Sequence, residues 1–468
     1  MEKLPALLRQ LARRRISGPA ELIRFHEALL FFRAYAPSAA VLRLAEEILA
    51  SFSGRVAKLA ETGMLEEPDM SGIAGTGLCG VFTRDLVRLL LARHGGAMRL
   101  AWDAYDQPAR LAHALNGLLP YYEDEALVEA RPPYREWVEA AGGLGWLVEN
   151  SECFDAAEIP IEWQLEDSPA TRTHMRLEGR RNFHHRRGLI ARSEVSLPAV
   201  VSEPALAVRK LSHREGRRVI DLAQDTSAVR YRELYGFTWG DARHVHEYDA
   251  GRGVVFYWWG LPPKRRLPLR AYHAVTIWKN GVPIGYFEGL SLLDRVEAGF
   301  NLYYTFREGE TAWLYSRLLK LFHQAAGATC FWLDPYQIGH DNEEAVDAGA
   351  FWFYRKLGYE SVDADLRRLT EREEKKIATR PGYRTPKTVL RRLSRRPMIF
   401  GFPGSHPERW HNFDLHRLTM TLALGKAPAL AKRLWVLEEA KRAPEETVYL
   451  DAMRRDKRLW EGILEAGE

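Results

Sequence analysis

The chain has few cysteines and no long apolar run. Its three cysteines, Cys79, Cys153 and Cys330, are scattered, and none of their spacings fits a zinc site or a redox motif. We therefore expect buried structural thiols and no bound metal. A run of about eighteen apolar residues is missing, and the start of the chain lacks the apolar core and the small-residue cleavage site of a signal peptide. These features predict no membrane span and a cytoplasmic location.

The length and composition are those of a protein with more than one folded core. Of the 468 residues, 46% are hydrophobic and 28% are charged, which is enough for two or three domains. We predict an α-rich N-terminal domain of unknown role over residues 1–200, a sheet-containing domain over residues 201–370 and a mainly helical C-terminal extension over residues 371–468.

The N-terminal domain is predicted mainly from the helical periodicity of its apolar residues. Glu21–Leu59 shows this periodicity with a break near Pro37, and Asp85–Arg93 continues an amphipathic helix. Gly75–Gly80 matches the GxGxxG string, but the polar segment Glu66–Ser71 precedes it where a dinucleotide site needs a buried strand. We therefore interpret these glycines as a loop packed closely on a helix.

The positive charge is concentrated in one run. The net charge is only +5, yet Arg172–Arg192 holds seven arginines and three histidines against one glutamate, and Arg380–Arg396 is also basic. Such runs can bind phosphates of a coenzyme, a nucleic acid or lipid headgroups, although most are solvated faces. No signature of a nucleic-acid-binding fold accompanies the run, so nucleic acid remains a secondary candidate partner through Arg172–Arg192.

A β-hairpin is the clearest local structure in the middle of the chain. The apolar runs Arg270–Trp278 and Val282–Leu290 flank Lys279–Gly281, and the Asn-Gly pair between them is a strong hairpin signal. Leu206–Leu211 is predicted to be the first strand, and Arg214–Leu234 a pair of helices. A meander of strands is therefore expected before residue 298.

A strand, a helix, a second strand and a second helix are predicted after the meander. Gly299–Phe306 has β character, Thr311 and Ala312 open an amphipathic helix, Thr329–Leu333 is a short buried strand, and a helix begins at Glu343 and ends at Gly358. A strand followed by a tight loop and a helix N-terminus exposes backbone N–H groups, which form a site for an anion such as a diphosphate.

The last of these segments resembles a known family. Ala350–Tyr359, which reads AFWFYRKLGY, is similar to the closing helix and turn of the GNAT superfamily of N-acyltransferases. The resemblance covers residues 205–363 and is strongest over residues 298–359. It implies an α/β (α+β) fold with a mixed, mostly antiparallel sheet flanked by helices, and it makes residues 201–370 an acyltransferase domain.

The resemblance also implies a co-substrate, acetyl-CoA or another acyl-CoA, with no metal. In the family, a loop of Gln or Arg, two residues, Gly, one residue and Gly or Ala holds the coenzyme diphosphate. Here Arg307 and Ala312 match, but the glycine lies one place early at Gly309, and Glu310 stands where the glycine is expected. The residues expected to bind the coenzyme are Arg307, Gly309, Glu310, Thr311, Ala312 and Asn342.

The catalytic residues expected from the resemblance are an acid and a base. The tyrosine of the closing motif often protonates the leaving thiolate, and Tyr354 matches it. Candidates for the base that deprotonates the amine acceptor are Glu288, Glu297 and His340, with Glu288 slightly favoured over His340. A solvated strand carboxylate or a surface histidine is the alternative interpretation for each.

Three functions remain open at this point. The first is an acyl-CoA-dependent N-acyltransferase that moves an acyl group, as a first expectation acetyl, to an amine acceptor by direct attack in a ternary complex. The second is a catalytically inactive GNAT-fold module with a binding or regulatory role, which the displaced glycine favours. The third is an aminoacyl-tRNA-dependent transferase, which would give the arginine-rich run a purpose. The acceptor and the oligomeric state are not predicted.

Overall fold

The protein forms two compact units. The computed structural model describes residues 3–68, 70–115, 118, 133–179 and 182–468. Unit 1 comprises Met1–Arg186, Arg217–Thr238 and Asn280–Pro283, and unit 2 comprises Arg187–Gly216, Trp239–Lys279 and Ile284–Glu468. Since the chain passes between them more than once, neither unit is one continuous segment. The division into residues 1–200, 201–370 and 371–468 stays a prediction.

Helices are present in both units. In chain order they are α1 Lys3–Arg13, α2 Pro19–Ala34, α3 Ala39–Ala50, α4 Ser53–Val56, α5 Arg84–His94, α6 Pro108–Leu115, α7 Tyr134–Ala141, α8 Gly143–Asn150, α9 Phe154–Ala157, α10 Leu197–Val200, α11 His213–Ala228, α12 Tyr235–Thr238, α13 Thr311–Ala326, α14 Pro335–Ile338, α15 Glu343–Asp347, α16 Ala350–Arg355, α17 Ala364–Thr379, α18 Lys387–Leu393, α19 Leu415–Ala423, α20 Pro428–Val436, α21 Glu438–Lys441, α22 Thr447–Arg455 and α23 Lys457–Gly467. The side chain of Ser38 caps α3 by accepting a hydrogen bond from the N–H of Val41 at 3.3 Å. The predicted helix break near Pro37 is therefore confirmed. Among the described residues, none of the helices combines the length and the apolar character needed to cross a bilayer.

The strands form a small sheet and a large one. They are β1 Gly77–Gly80, β2 Met98–Leu100, β3 Ile161–Gln164, β4 Ala207–Lys210, β5 His246–Gly251, β6 Val254–Trp259, β7 Ala271–Lys279, β8 Val282–Leu292, β9 Arg295–Leu302, β10 Cys330–Leu333, β11 Glu360–Ser361 and β12 Met398–Gly401. The small sheet has the order β1-β3-β2, and the large sheet has the order β11-β12-β10-β9-β8-β7-β6-β5-β4. β9 and β10 run parallel, and the other pairs of defined register are antiparallel. A mixed α/β fold with a large, mostly antiparallel sheet is thus confirmed.

The predicted hairpin is the turn between β7 and β8. Asn280 and Gly281 have φ angles of 50° and 77°, which is the left-handed pair that a two-residue type I′ turn requires. Further along β8, a Cβ at Gly289 would overlap the ring of Phe322 in α13. The absence of a side chain there lets α13 pack closely on the sheet, where Phe287 and Phe322 have ring centroids 4.7 Å apart.

Two predicted elements differ from those observed. The strand predicted over Gly299–Phe306 starts earlier and ends at Leu302, because Tyr304–Phe306 forms a single 3-10 turn that buries Phe306. The continuous helix predicted from Glu343 to Gly358 is broken into α15 and α16. Gly349 adopts a left-handed φ of 69°, which interrupts the helical hydrogen-bond pattern.

The expectation of three buried thiols is wrong for two of them. Cys330 is buried, whereas Cys79 and Cys153 are exposed. The interpretation of Gly75–Gly80 as a loop is wrong for its last four residues, because Gly77–Gly80 is strand β1 and pairs with β3.

The basic run includes arginines that pair with acidic side chains of unit 1. The guanidinium of Arg172 lies 3.0 Å from the carboxylate of Glu27, and that of Arg176 lies 2.8 Å from that of Glu46. Arg172 is only 5% exposed. Arg180 and Arg181 lie outside the described residues.

The C-terminal helices of unit 2 are fastened to the sheet by a buried carboxylate. Glu446 accepts hydrogen bonds from the N–H groups of Tyr272 and Leu261 at 3.1 and 3.2 Å. Burial raises the pKa of Glu446 to about 7, against the lowering effect of these N–H groups. Arg266 binds the chain just before it by donating to the carbonyls of Ala443 and Pro444 at 2.7 and 2.9 Å.

Candidate functional site

The large sheet has a gap where β9 and β10 separate. Their parallel pairing ends with Glu297 opposite Trp332. β9 continues to Leu302 and stays paired with β8, whereas β10 ends at Leu333 and the chain turns into α14. Within the described residues, the end of β9 therefore has a strand on one side only. We call the space beside it the strand gap.

A glutamine side chain reaches across the strand gap. The Nε2 of Gln337, in α14, donates to the carbonyl of Phe300 at 2.9 Å and to the hydroxyl of Tyr354 at 3.1 Å. The hydroxyl of Tyr354 is thus linked to the backbone of β9 by two hydrogen bonds through the amide of Gln337. Any ligand that pairs with this edge of β9 must displace or share Gln337.

Tyr354 is buried among other tyrosines. It is 3% exposed, and its ring centroid lies 5.4 Å from that of Tyr315 and 5.7 Å from that of Tyr359. Burial raises the pKa of Tyr354 above its ordinary value, while the hydrogen bond from Gln337 lowers it. The hydroxyl therefore stays protonated near neutral pH, and its raised pKa makes it a weaker acid than an exposed tyrosine.

The loop from Arg307 to Ala312 leads into the first turn of α13. The N–H of Gly309 donates to the carbonyl of Phe306 at 3.0 Å, and the hydroxyl of Thr311 donates to the carbonyl of Arg307 at 2.8 Å. Ala312 is 4% exposed. These bonds fix the loop at the helix start without covering the first-turn N–H groups.

The carboxylate of Glu310 is turned into the protein. Its side chain is fully buried, 3.4 Å from the ammonium of Lys279, in an ion pair with Arg252 and 3.0 Å from the N–H of Ile190, which donates to it. Burial lowers the pKa of Lys279 to about 8, against the raising effect of Glu310. The negative charge of Glu310, which was expected beside the anion loop, is thus neutralised by Lys279 and Arg252.

Glu310 also leaves the start of α13 without a side-chain cap. It is the N-cap residue, and its side chain accepts no hydrogen bond from the helix within the described structure. The first N–H groups of a helix have no partner inside the helix and carry partial positive charge. Arg307 lies at the same end, with Nε 3.2 Å from the carbonyl of Leu302 and its guanidinium 2.5 Å from the carboxylate of Glu344. Glu308 is exposed.

Asn342 and His340 lie in the segment after α14. The Oδ1 of Asn342 accepts from the N–H of Ala345 at 3.1 Å and caps α15, while its Nδ2 donates to the carbonyl of Tyr336 at 3.1 Å. Both polar groups of Asn342 thus serve the local fold. His340 is 45% exposed, 3.7 Å from the carboxylate of Asp341, and its described contacts include neither Glu288 nor Tyr354.

Glu288 projects from the face of the sheet opposite to α13. Its neighbours Phe287 and Gly289 both face Phe322 of α13, and side chains alternate along a strand. The hydroxyl of Tyr272 donates to the carboxylate of Glu288. Burial raises the pKa of Glu288, and the hydrogen bond from Tyr272 lowers it.

The position opposite Glu288 on β9 carries no side chain. Gly299 lies directly opposite on β9, and a Cβ built there would have only atoms of Glu288 within 4 Å. Glu297, opposite Leu290, lies on the same face as Glu288 and pairs with Arg270 at 2.8 Å. Of the two expected carboxylate bases, Glu297 is in an ion pair, whereas Glu288 accepts a hydrogen bond from Tyr272 and has no ion pair among the described residues.

The site brings together some of the predicted residues and adds others. Tyr354 is linked to the edge of β9 through Gln337, the loop at α13 follows the end of β9, and Glu288 lies on β8 opposite Gly299 of β9, whereas the described contacts of His340 include none of these groups. Sequence reasoning missed Gln337, Tyr272 and Lys279. Tyr272 belongs to a strand of the predicted hairpin, so its strand was predicted. That its hydroxyl contacts Glu288 could be recognised only once the pairing of the strands was known.

The described His, Cys, Asp and Glu side chains form no group that could hold a metal ion. Comparison of the chain with protein-family models, with curated proteins and with solved structures gave no match.

Proposed function

We propose that the chain is an acyl-CoA-dependent N-acyltransferase of the GNAT type that moves an acyl group, as a first expectation acetyl, to an amine acceptor. The observation that carries the proposal is the strand gap. It lies between two parallel strands, next to an uncapped helix N-terminus, with the hydroxyl of Tyr354 linked to β9 through Gln337 and the buried carboxylate of Glu288 one strand away on β8. Each of these is a part that direct acyl transfer needs.

The diphosphate of the coenzyme would lie at the start of α13. Backbone N–H groups and the helix dipole stabilise an anion there by roughly 0.3–1 kcal/mol per charge, and the guanidinium of Arg307, which pairs with Glu344, lies at the same end of the helix. The inward orientation of Glu310 removes the main electrostatic objection to this placement. Glu308 is exposed and can point to solvent.

The two catalytic side chains act from opposite faces of the sheet. Glu288 takes a proton from the acceptor ammonium, and the freed nitrogen then attacks the thioester carbonyl. The N–C bond forms, the C–S bond breaks, and Tyr354 gives its proton to the sulfur. The second proton of the nitrogen restores Tyr354, and Glu288 releases its own to water. A raised pKa brings a carboxylate closer to the operating pH, which favours it as a base.

An inactive GNAT-fold binding module is the second candidate. The hydrogen bond from Gln337 to Phe300 already uses the edge of β9 that the acyl arm of a coenzyme would need. The tRNA-dependent alternative has less support, because Arg172 and Arg176 pair with carboxylates.

Release of free thiol from acetyl-CoA, measured with a panel of small amines, tests the proposal. Glu288→Gln should lower turnover about 10²–10⁴-fold, as expected for loss of a general base. Glu465→Gln, an exposed residue of α23, is the matched control and should keep full activity. Stabilisation by acetyl-CoA without turnover on any amine would favour the inactive module.

A further inference from the structure

The end of β9 directs two carbonyl groups into the strand gap. The N–H of Tyr303 donates to the carbonyl of Ile284 in β8 at 3.0 Å, so the backbone at Tyr303 faces β8. In an antiparallel pair, residues whose backbone groups bond the partner strand alternate with residues whose groups point away from it. The carbonyls of Leu302 and Phe300 therefore point away from β8 and toward the gap.

Both of these carbonyls accept hydrogen bonds from side chains. The Nε2 of Gln337 lies 2.9 Å from the carbonyl of Phe300, and the Nε of Arg307 lies 3.2 Å from the carbonyl of Leu302. The two side chains stand where the N–H groups of a neighbouring strand would bond in a continuous sheet. Covered edges of this kind also protect sheets from pairing with other chains. A ligand that adds to this edge of β9 has to replace these donors.

Gln337 can leave the edge without any movement of the backbone. Its side chain is half-buried, and its Oε1 makes no hydrogen bond within the described residues. The backbone of α14 is fixed independently, because Ile338 is 1% exposed and the N–H of Tyr336 donates to the Oδ1 of Asp334 at 2.8 Å. Rotation of the Gln337 side chain alone therefore opens the edge beside Phe300.

The chemistry of the edge selects what can replace Gln337. The buried carbonyl of Phe300 and the hydroxyl of Tyr354 both accept from the amide nitrogen of Gln337. A replacement without an N–H donor would leave the carbonyl of Phe300 unpaired, which is unfavourable for a buried acceptor. The arm of coenzyme A carries secondary amides on an extended chain, and extended chains add to open strand edges through such N–H groups.

We propose that the side chain of Gln337 is a self-inhibitory plug of the strand gap, displaced when an amide N–H of the coenzyme arm bonds the carbonyl of Phe300. This inference rests on the proposed function and adds regulation to it, because the ligand-free chain is closed by its own glutamine. Displacement also takes the amide donor away from the hydroxyl of Tyr354. Entry of the arm and release of the proposed acid are therefore one event.

Calorimetry with acetyl-CoA and with ADP tests the plug, because ADP has the diphosphate but no arm. Gln337→Ala should bind acetyl-CoA about 2- to 10-fold more tightly than the wild type, since the arm no longer competes with the hydrogen bonds of Gln337. It should bind ADP with unchanged affinity. Gln337→Met, which keeps the length of the side chain but has no donor, should act in the same direction.

Gln324→Ala is the matched control. Gln324, in α13, is also half-buried and bonded to backbone, with its Nε2 3.0 Å from the carbonyl of Leu206 and its Oε1 2.8 Å from the N–H of Leu206. This variant should bind both ligands like the wild type, and thermal melting of each variant shows that it is folded.

The outcomes separate the plug from the proposed function. Equal acetyl-CoA affinity of the wild type and both Gln337 variants would overturn the plug and leave the proposed function standing. Tightening of ADP binding to the same extent would also overturn the plug, because the effect would not belong to the arm. If neither ligand binds to any of these chains, the proposed function fails and the plug fails with it.

Discussion

Replacing Glu310 by glutamine tests how the start of α13 is kept open to an anion. The carboxylate of Glu310 is buried with Lys279 and Arg252, and it accepts the N–H of Ile190. Glutamine keeps the size and one acceptor oxygen, so the variant removes mainly the charge. Loss of one partner from a buried ion pair costs about 3–5 kcal/mol, because the other charge remains buried.

The cost should depend on pH through Lys279. Its pKa is about 8 in the folded protein and 10.5 in the ordinary state, so between these values the unfolded chain binds more protons. Through Lys279, the free energy of unfolding therefore increases as pH rises between these two pKa values. In Glu310→Gln the pKa of Lys279 falls further, because the carboxylate that raises it is gone. Lys279 of the variant then loses its proton at a lower pH than in the wild type, so the cost of the variant should shrink as pH rises toward about 8 and stay constant above it.

Hydrogen exchange of α13 at pH 6 and pH 9 measures this locally, which suits a chain whose two units need not unfold together. Glu308→Gln, at an exposed position of the same loop, is the control and should change stability by less than about 0.5 kcal/mol. If Glu310→Gln matches that control, or costs the same at both pH values, the buried ion pair does not hold this helix in place.

Three further variants follow from the site and its support. Tyr354→Phe should lower turnover on the order of 10²-fold in the thiol-release assay and leave acetyl-CoA affinity nearly intact; unchanged turnover would remove Tyr354 from the acid role. Gly309→Val should weaken acetyl-CoA binding, measured by calorimetry, by about tenfold if the loop approaches the diphosphate closely, and equal affinity would make the loop purely structural. Glu446 has a folded pKa of about 7 against an ordinary 4.5, so the wild type should lose up to about 3 kcal/mol of unfolding free energy as pH rises through this range. Glu446→Gln should lack that dependence in urea titrations, and an unchanged slope would contradict the assignment.

Much of the sheet was predictable because its signals are local. Asn280 and Gly281 fix a turn by their backbone preferences alone, and apolar runs on both sides give the strands. The end of β9 at Leu302 and the helix break at Gly349 were not predicted. The reason at Leu302 is tertiary packing. Aromatic residues such as Phe306 favour strands by propensity, yet here tertiary packing buries Phe306 in a turn.

The orientation of side chains at the site was not predictable from the sequence. Whether Glu310 repels or tolerates a diphosphate depends on Lys279 and Arg252, which are distant along the chain. The bridge from Gln337 to Phe300 likewise depends on where β10 ends relative to β9. The residue types of the loop were recognised, but their partners required the fold.

Hydrogen exchange with and without acetyl-CoA tests the central claim most directly. The account predicts new protection at the first-turn N–H groups of α13, Thr311 to Trp313, and at the end of β9 beside Phe300, with little change in unit 1. Exchange that acetyl-CoA leaves unchanged at saturating concentration, or protection confined to segments away from the strand gap, would contradict it.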